Sequence, residues 1–306
     1  MTSSPIIIRS VDELRQSVSS ALERAQEQAH QQATEEQPAT PVTLGYVATM
    51  GALHEGHATL IRRAREQNDV VVVSVFVNPL QFGPGEDYEK YPRTLESDVQ
   101  VAQEAGADIV FAPDNDQMYP SGTPLITVSS GKLGNLFEGK TRPGHFDGAL
   151  TVVNKFFNIL KSSARHHVVN AYFGRKDAQQ VSLIQRMVQD FNHDIVIKPV
   201  PIVRADDGLA LSSRNQYLSA EDRERALVLS RTLAMLREQQ ITRGLTEDDI
   251  SAARERIDAV EGVRLDYLEV IDSETFEPPA ADSSKVLALV AAYVGQTRLI
   301  DNMELN

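Results

Sequence analysis

The chain has 306 residues, no cysteine, a formal charge of −13 at pH 7 and 42% hydrophobic residues. That is enough chain and apolar content for two globular domains or one large one. It excludes disulfides and thiolate chemistry, leaves His, Asp and Glu as the usual metal ligands, and argues against general nucleic-acid binding, which carries a basic footprint.

At the start of the chain, Met1-Thr2-Ser3-Ser4-Pro5 lacks the basic and apolar parts of a signal peptide. No later run approaches the roughly 18 apolar residues of a membrane span, so the expectation is a cytoplasmic protein with no membrane partner. Ser10 followed by Glu13 forms a capping-box pattern, and Leu14, Val18, Leu22 and Ala25 recur at helical spacing. The polar run Gln26 to Gln37, closed by Pro38 and Pro41, reads as a helix extension fraying into a surface linker. A β-α-β unit follows, with a strand over 42–48, a helix over 58–67 and a strand over 70–77. The β-branched run Val70 to Val77 suits a strand buried on both faces.

The pattern continues as helix 95–105, strand 108–112, helix 147–161, strand 168–173, helix 177–190 and strand 194–198. Such alternation predicts a Rossmann-like, doubly wound parallel sheet with right-handed crossovers. Ligands of these sheets lie beyond the carboxyl ends of the strands, where Thr49, Asn78 and Pro113 fall. Pro199-Val200-Pro201 reads as a boundary between a domain over 1–201 and a smaller C-terminal α+β domain over 202–306. The smaller domain holds a helix over 220–239 and an apolar strand over 286–293.

The segment Thr49-Met50-Gly51-Ala52-Leu53-His54-Glu55-Gly56-His57 lies at a strand-to-helix turn. Unsatisfied N–H groups and the helix dipole favour an anion there, glycines let a phosphate approach, and two imidazoles add donors. Zincin-type metal pairs use i, i+4 spacing and a third ligand, so zinc fits less well. A phosphate grip, a metal pair and a structural turn all remain open on these residues alone. Asn78-Pro79-Leu80-Gln81-Phe82 offers amides for hydroxyl or carboxylate groups, or simply a turn. Tyr91-Pro92-Arg93-Thr94 leads to Asp98, either a helper for Mg²⁺ or an exposed helix aspartate.

Three later segments gather cations beside glycines. Glu138 to Gly148 carries Lys140, Arg142 and His145 before a helix start, and Phe173-Gly174-Arg175-Lys176-Asp177-Ala178-Gln179-Gln180 joins a strand to a helix. Asp206 to Asn215 places Ser212, Ser213 and Arg214 on a flexible loop that can close over a triphosphate.

Five blocks in this order resemble the pantothenate synthetase family: residues 49–57, 76–82, 91–94, 138–146 and 208–215. The resemblance implies a nucleotidylyltransferase fold with a smaller C-terminal domain, usually a homodimer. It also implies an ATP- and Mg²⁺-dependent ligase joining pantoate to β-alanine through a pantoyl-adenylate. By that resemblance His54 and His57 contact ATP phosphates together with Lys176, Ser212, Ser213 and Arg214. Gln81 and Gln180 hold pantoate, with Met50 and Asn78 nearby and Arg142 and His145 among the substrate-binding residues. Met50, Gly51, Gly174, Arg175 and Asp177 fall in the nucleotide site, Val203 and Leu211 line the adenine, and Asp98 lies in the magnesium region.

Some positions depart from the family pattern. Ala48 stands where proline is usual, Arg175 where glutamate is usual and Ala178 where an aromatic is usual. The segments 26–37 and 162–167 are longer than typical. Two rivals stand beside the ligase reading: a nucleotidylyltransferase that keeps AMP joined to its substrate, and a silent ATP-binding protein.

Overall fold

The computed structural model describes residues 4–34, 40–86, 88–164, 166–280 and 283–306. Its contacts divide into two units, one of Met1–Gly174 with Gln179–Val200 and one of Arg175–Ala178 with Pro201–Asn306. In chain order the first elements are β1 (Ile6–Ile8), α1 (Val11–Gln32), β2 (Thr43–Thr49), α2 (Glu55–Gln67), β3 (Val70–Val75) and α3 (Leu95–Glu104). Then come β4 (Ile109–Phe111), α4 (Asn115–Met118), α5 (Glu138–Thr141), α6 (His145–Ser163), β5 (Val168–Gly174), α7 (Ala178–Asp190) and β6 (Val196–Val200).

The strands of this first unit form one parallel sheet in the order β1-β4-β3-β2-β5-β6. The doubly wound expectation is met. From β2 the chain builds outward through β3 and β4, then returns to place β5 and β6 on the other side, so the switch point lies between β2 and β5. Strand periodicity shows in β3: Val70 and Val72 enter one core with Leu14, Phe157 and Ile184, whereas Val71 and Val73 enter the other with Ile61 and Ala102. Both faces are thus covered by helices, which explains the unbroken valine run.

Several boundaries differ from the sequence expectation. α1 reaches Gln32, and the linker expected beyond it lies partly outside the described residues. α2 starts at Glu55 rather than 58, because the His54 side chain caps it. β6 runs on through Pro199, paired with Phe173, as an edge strand permits.

The second unit contains α8 (Ala220–Arg243), α9 (Glu247–Asp258), β7 (Val263–Asp272), β8 (Val286–Val294) and β9 (Thr297–Glu304). The three strands form an antiparallel sheet in the order β7-β8-β9. Leu233 and Leu236 of α8 and Ile257 of α9 pack with Leu268, Val290 and Leu299 of the sheet. Among the described residues no helix is long and apolar enough to cross a membrane.

Candidate active site

β2 ends at Thr49, whose hydroxyl donates to Ser74 O at 2.7 Å and accepts from Gly51 N at 3.2 Å. The chain then turns through two left-handed residues, Gly51 (φ 84°) and Ala52 (φ 51°). Glycine adopts that region freely, but alanine pays roughly 1–2 kcal/mol there. Asp98 of α3 offsets this strain. Its carboxylate, 1% exposed, accepts from Ala52 N at 3.2 Å, Leu53 N at 2.7 Å and Thr94 Oγ1 at 3.3 Å. A side chain at Gly51 would meet Asp98 Oδ2 at 3.0 Å.

The pinned loop delivers His54 to the start of α2, where the two histidines form a capping box. Nδ1 of His54 accepts from Gly56 N at 3.1 Å, and Nδ1 of His57 accepts from His54 N at 3.3 Å. The ring centroids stand 4.2 Å apart. An accepting Nδ1 carries no proton, so each neutral ring holds its proton on Nε2. The motif therefore presents two imidazole N–H donors beside a helix N-terminus, an arrangement suited to phosphate oxygens.

Beyond the neighbouring strand β3, Asn78 caps a short turn over Pro79–Gln81. Asn78 is 1% exposed and fully engaged. Its Oδ1 accepts from Tyr119 Oη at 2.7 Å and from Leu80 N at 3.3 Å, while Nδ2 donates to Gln81 Oε1 at 3.0 Å and Gly148 O at 3.1 Å. Burial pushes the Tyr119 hydroxyl's pKa upward, which keeps that donor protonated. A Cβ at Gly148 would lie 1.9 Å from Leu80 O, so only glycine lets α6 seat against this turn. Gln81 is thereby fixed through Oε1, and its Nε2 makes no hydrogen bond to the described residues.

The backbone of Gln81 is clamped as well. His145 Nδ1–H donates to Gln81 O at 2.8 Å, while His145 Nε2 accepts from Arg142 Nη1 at 3.1 Å. Arg142 also forms a two-pronged pair with Glu86, Nε to Oε1 at 3.0 Å and Nη2 to Oε2 at 2.6 Å. Burial first, then the Arg142 charge, lowers the His145 pKa to about 4. Gln179 is engaged too, accepting from Glu138 N and donating to Leu133 O and Leu136 O. Its neighbour Gln180 is half-buried in the first turn of α7, as Met50 is at the end of β2. Gly174 closes β5, and a Cβ there would meet nothing within 4 Å.

In the second unit, Lys176 sits in the turn Arg175–Asp177, its side chain 19% exposed and its Nζ 3.8 Å from Asp177 Oδ1. A narrow hairpin links Ala205 N to Leu209 O at 2.9 Å and Leu211 N to Val203 O at 3.0 Å, with Gly208 at φ 94°. It leads into Ser212, whose hydroxyl caps the turn Ser213–Tyr217 by accepting from Arg214 N at 3.3 Å. Val203, Leu211, Ser212, Ser213 and Arg214 are all half-buried.

Comparison with known proteins decides what these parts belong to. Residues 13–304 match the family model described as pantoate-beta-alanine ligase. The pantothenate synthetase of Corynebacterium glutamicum is 49% identical over 269 residues, covering 86% of this chain and 94% of that protein. A crystal structure of pantothenate synthetase from Thermus thermophilus superposes with a TM-score of 0.84 at 42% identity, covering 98% of this chain and 99% of the other. The chain belongs to the pantoate-beta-alanine ligase family. Another solved relative, from Francisella tularensis, was crystallised with β,γ-ATP and β-alanine. It has a TM-score of 0.72 at 33% identity and covers 98% of each chain.

Family membership sharpens the reading of individual residues. The structure brings Met50, Gly51, His54 and His57 together on the loop after β2, and Asn78 and Gln81 on the loop after the adjacent β3. Asp98, expected in the magnesium region, anchors the strained loop in this structure. It is buried and its oxygens face backbone N–H groups. Arg142 and His145, expected among the substrate-binding residues, clamp the Gln81 backbone: Arg142 pairs with Glu86, and burial keeps His145 neutral. Arg175, beside Lys176, turns its guanidinium to Glu304 of β9. Asn78 holds Gln81 through its amide and is itself held by Tyr119. Glu86 and Tyr119 support Arg142 and Asn78 without any pattern in the sequence to announce it.

Proposed function

We propose that this chain performs its family's reaction, the ATP-dependent condensation of pantoate with β-alanine, in two steps. The pantoate carboxylate attacks the α-phosphorus of ATP and pyrophosphate leaves. The amine of β-alanine then attacks the pantoyl-adenylate carbonyl, the C–N bond forms, AMP departs and the amine gives up its proton. A carboxylate approaching a triphosphate is repelled, so the protein must supply donors and positive charge. The paired histidines carry this reading: backbone bonds to both Nδ1 atoms fix the two rings and keep their protons on Nε2.

By the family resemblance, Lys176, Arg214 and the hydroxyls of Ser212 and Ser213 also contact the ATP phosphates, and closure of the 206–215 loop shields the mixed anhydride from water. Gln81 and Gln180 hold pantoate, with Met50 beside them. Gly174 and Asp177 take the ribose, and Val203 and Leu211 line the adenine. Magnesium enters with ATP. The described residues gather no group of three or more ligand side chains for it. The protein acts in the cytoplasm as a homodimer, in keeping with its family resemblance.

Pantoate-dependent exchange of label between ATP and pyrophosphate tests the first step. Replacing His54 or Lys176 by alanine lowers the exchange by ~10²–10³-fold, the usual effect of losing one donor to developing charge. Exchange at the wild-type rate in both variants removes the assigned roles. AMP release with β-alanine distinguishes the ligase from a nucleotidylyltransferase that retains AMP on its product.

A further inference from the structure

The last strand of the second unit touches both segments given to the ATP phosphates. Asn302 of β9 is 5% exposed, and its Nδ2 donates to Arg175 O at 2.9 Å and to Lys176 O at 2.8 Å. Both amide protons are thus committed to successive carbonyls of the turn that carries Lys176. The preceding residue, Asp301, is also 5% exposed and forms a two-pronged pair with Arg204, at 2.7 and 2.9 Å. Arg204 also donates to Gly208 O at 3.1 Å, which ties the hairpin leading into Ser212–Arg214 to the same strand. Asp301 Oδ1 accepts from Asn302 N at 2.8 Å, joining the two anchors to each other.

We infer that Asn302, supported by Asp301, is a positioning residue for ATP: it fixes the Lys176 turn in register with the Ser212–Arg214 loop. The inference rests on the function proposed above. A lysine ammonium on a four-carbon stem finds a phosphate only if its backbone is held, since the stem itself is loose. Asn302 holds that backbone, and the shared strand makes two distant pieces of sequence present their donors as one preformed set. Preformed donors stabilise charge without reorganising as it develops.

The test is a double-mutant cycle read by ATP titration calorimetry on Asn302→Ala, Lys176→Ala and the double variant. In the wild-type background Asn302→Ala weakens ATP by about tenfold, the loss of two neutral hydrogen bonds. In the Lys176→Ala background the same change weakens it by less than about twofold, because the residue acts through the lysine. KM for pantoate stays within about twofold of wild type. An equal loss in both backgrounds, or none in the first, overturns the inference. Should Asn302→Ala not fold, Asn302→Asp keeps the shape while removing both donors, and it carries the same cycle. If neither folds, Asn302 determines the fold and not the site, and the inference falls. Failure of the wild-type chain itself to bind ATP removes the proposed function instead.

Discussion

His54 and His57 hold each other in place: the backbone N–H of His54 donates to the His57 ring, while the His54 ring caps the same helix. One imidazole pair therefore does two jobs, ending the loop and presenting donors. The jobs are separable by substitution. His54→Asn keeps a good cap acceptor but loses the Nε2–H. Exchange activity falls by ~10²–10³-fold, whereas the thermal midpoint moves by less than roughly 3 °C, about 1 kcal/mol for a chain of this size. His54→Ala loses both. An Asn variant with wild-type exchange sinks the donor role.

Gly148 is the contact point of α6 with the turn that carries Gln81, and an added methyl there meets a backbone carbonyl at 1.9 Å. Gly148→Ala forces the helix and the turn apart. Urea unfolding registers a loss of roughly 1–3 kcal/mol, as for other overpacked sites, together with a raised KM for pantoate. Unchanged stability and KM show that the contact relaxes without consequence.

Asp98→Asn leaves shape intact but turns an NH₂ group toward backbone N–H donors. The left-handed turn at Ala52 then loses a counterweight, and stability drops by about 1–3 kcal/mol. The magnesium concentration giving half-maximal exchange stays where it is in the wild type. A large increase in that concentration restores Asp98 to the metal and overturns the anchor assignment.

His145 carries a pH dependence whose sign follows from its lowered value. Its pKa falls from 6.5 to about 4 in the folded chain. Between those values the unfolded chain binds more protons, so the contribution is complete above pH 6.5 and is lost as pH falls toward 4. The limit is ~3 kcal/mol, at 1.36 kcal/mol per unit. His145→Gln makes the stability curve flatter over this window, as denaturant titrations at pH 4.5 and 7 reveal. Parallel curves for the two proteins place the neutral imidazole elsewhere.

The sheet was legible because its signals are local and redundant. Val70 to Val75 reads as a buried strand whatever surrounds it, and the glycines after Thr49 mark a turn in any fold. The contacts of Asp98, Arg142 and His145 were not legible, because each depends on a partner distant in sequence. Arg142 meets Glu86, 56 positions away, and Asp98 meets Leu53, 45 positions away. A carboxylate aimed at a backbone and one aimed at a cation look alike in a linear text. The start of α2 was misplaced for a related reason, since histidine is an uncommon cap and the glycine at 56 hides a helix already begun.

The two outer strands of the parallel sheet are poor templates for another chain. β1 is three residues long, and β6 carries a proline that has no N–H to lend. A sheet with such margins resists lengthening by a strand from another chain. At either margin a second copy finds little unpaired backbone to share.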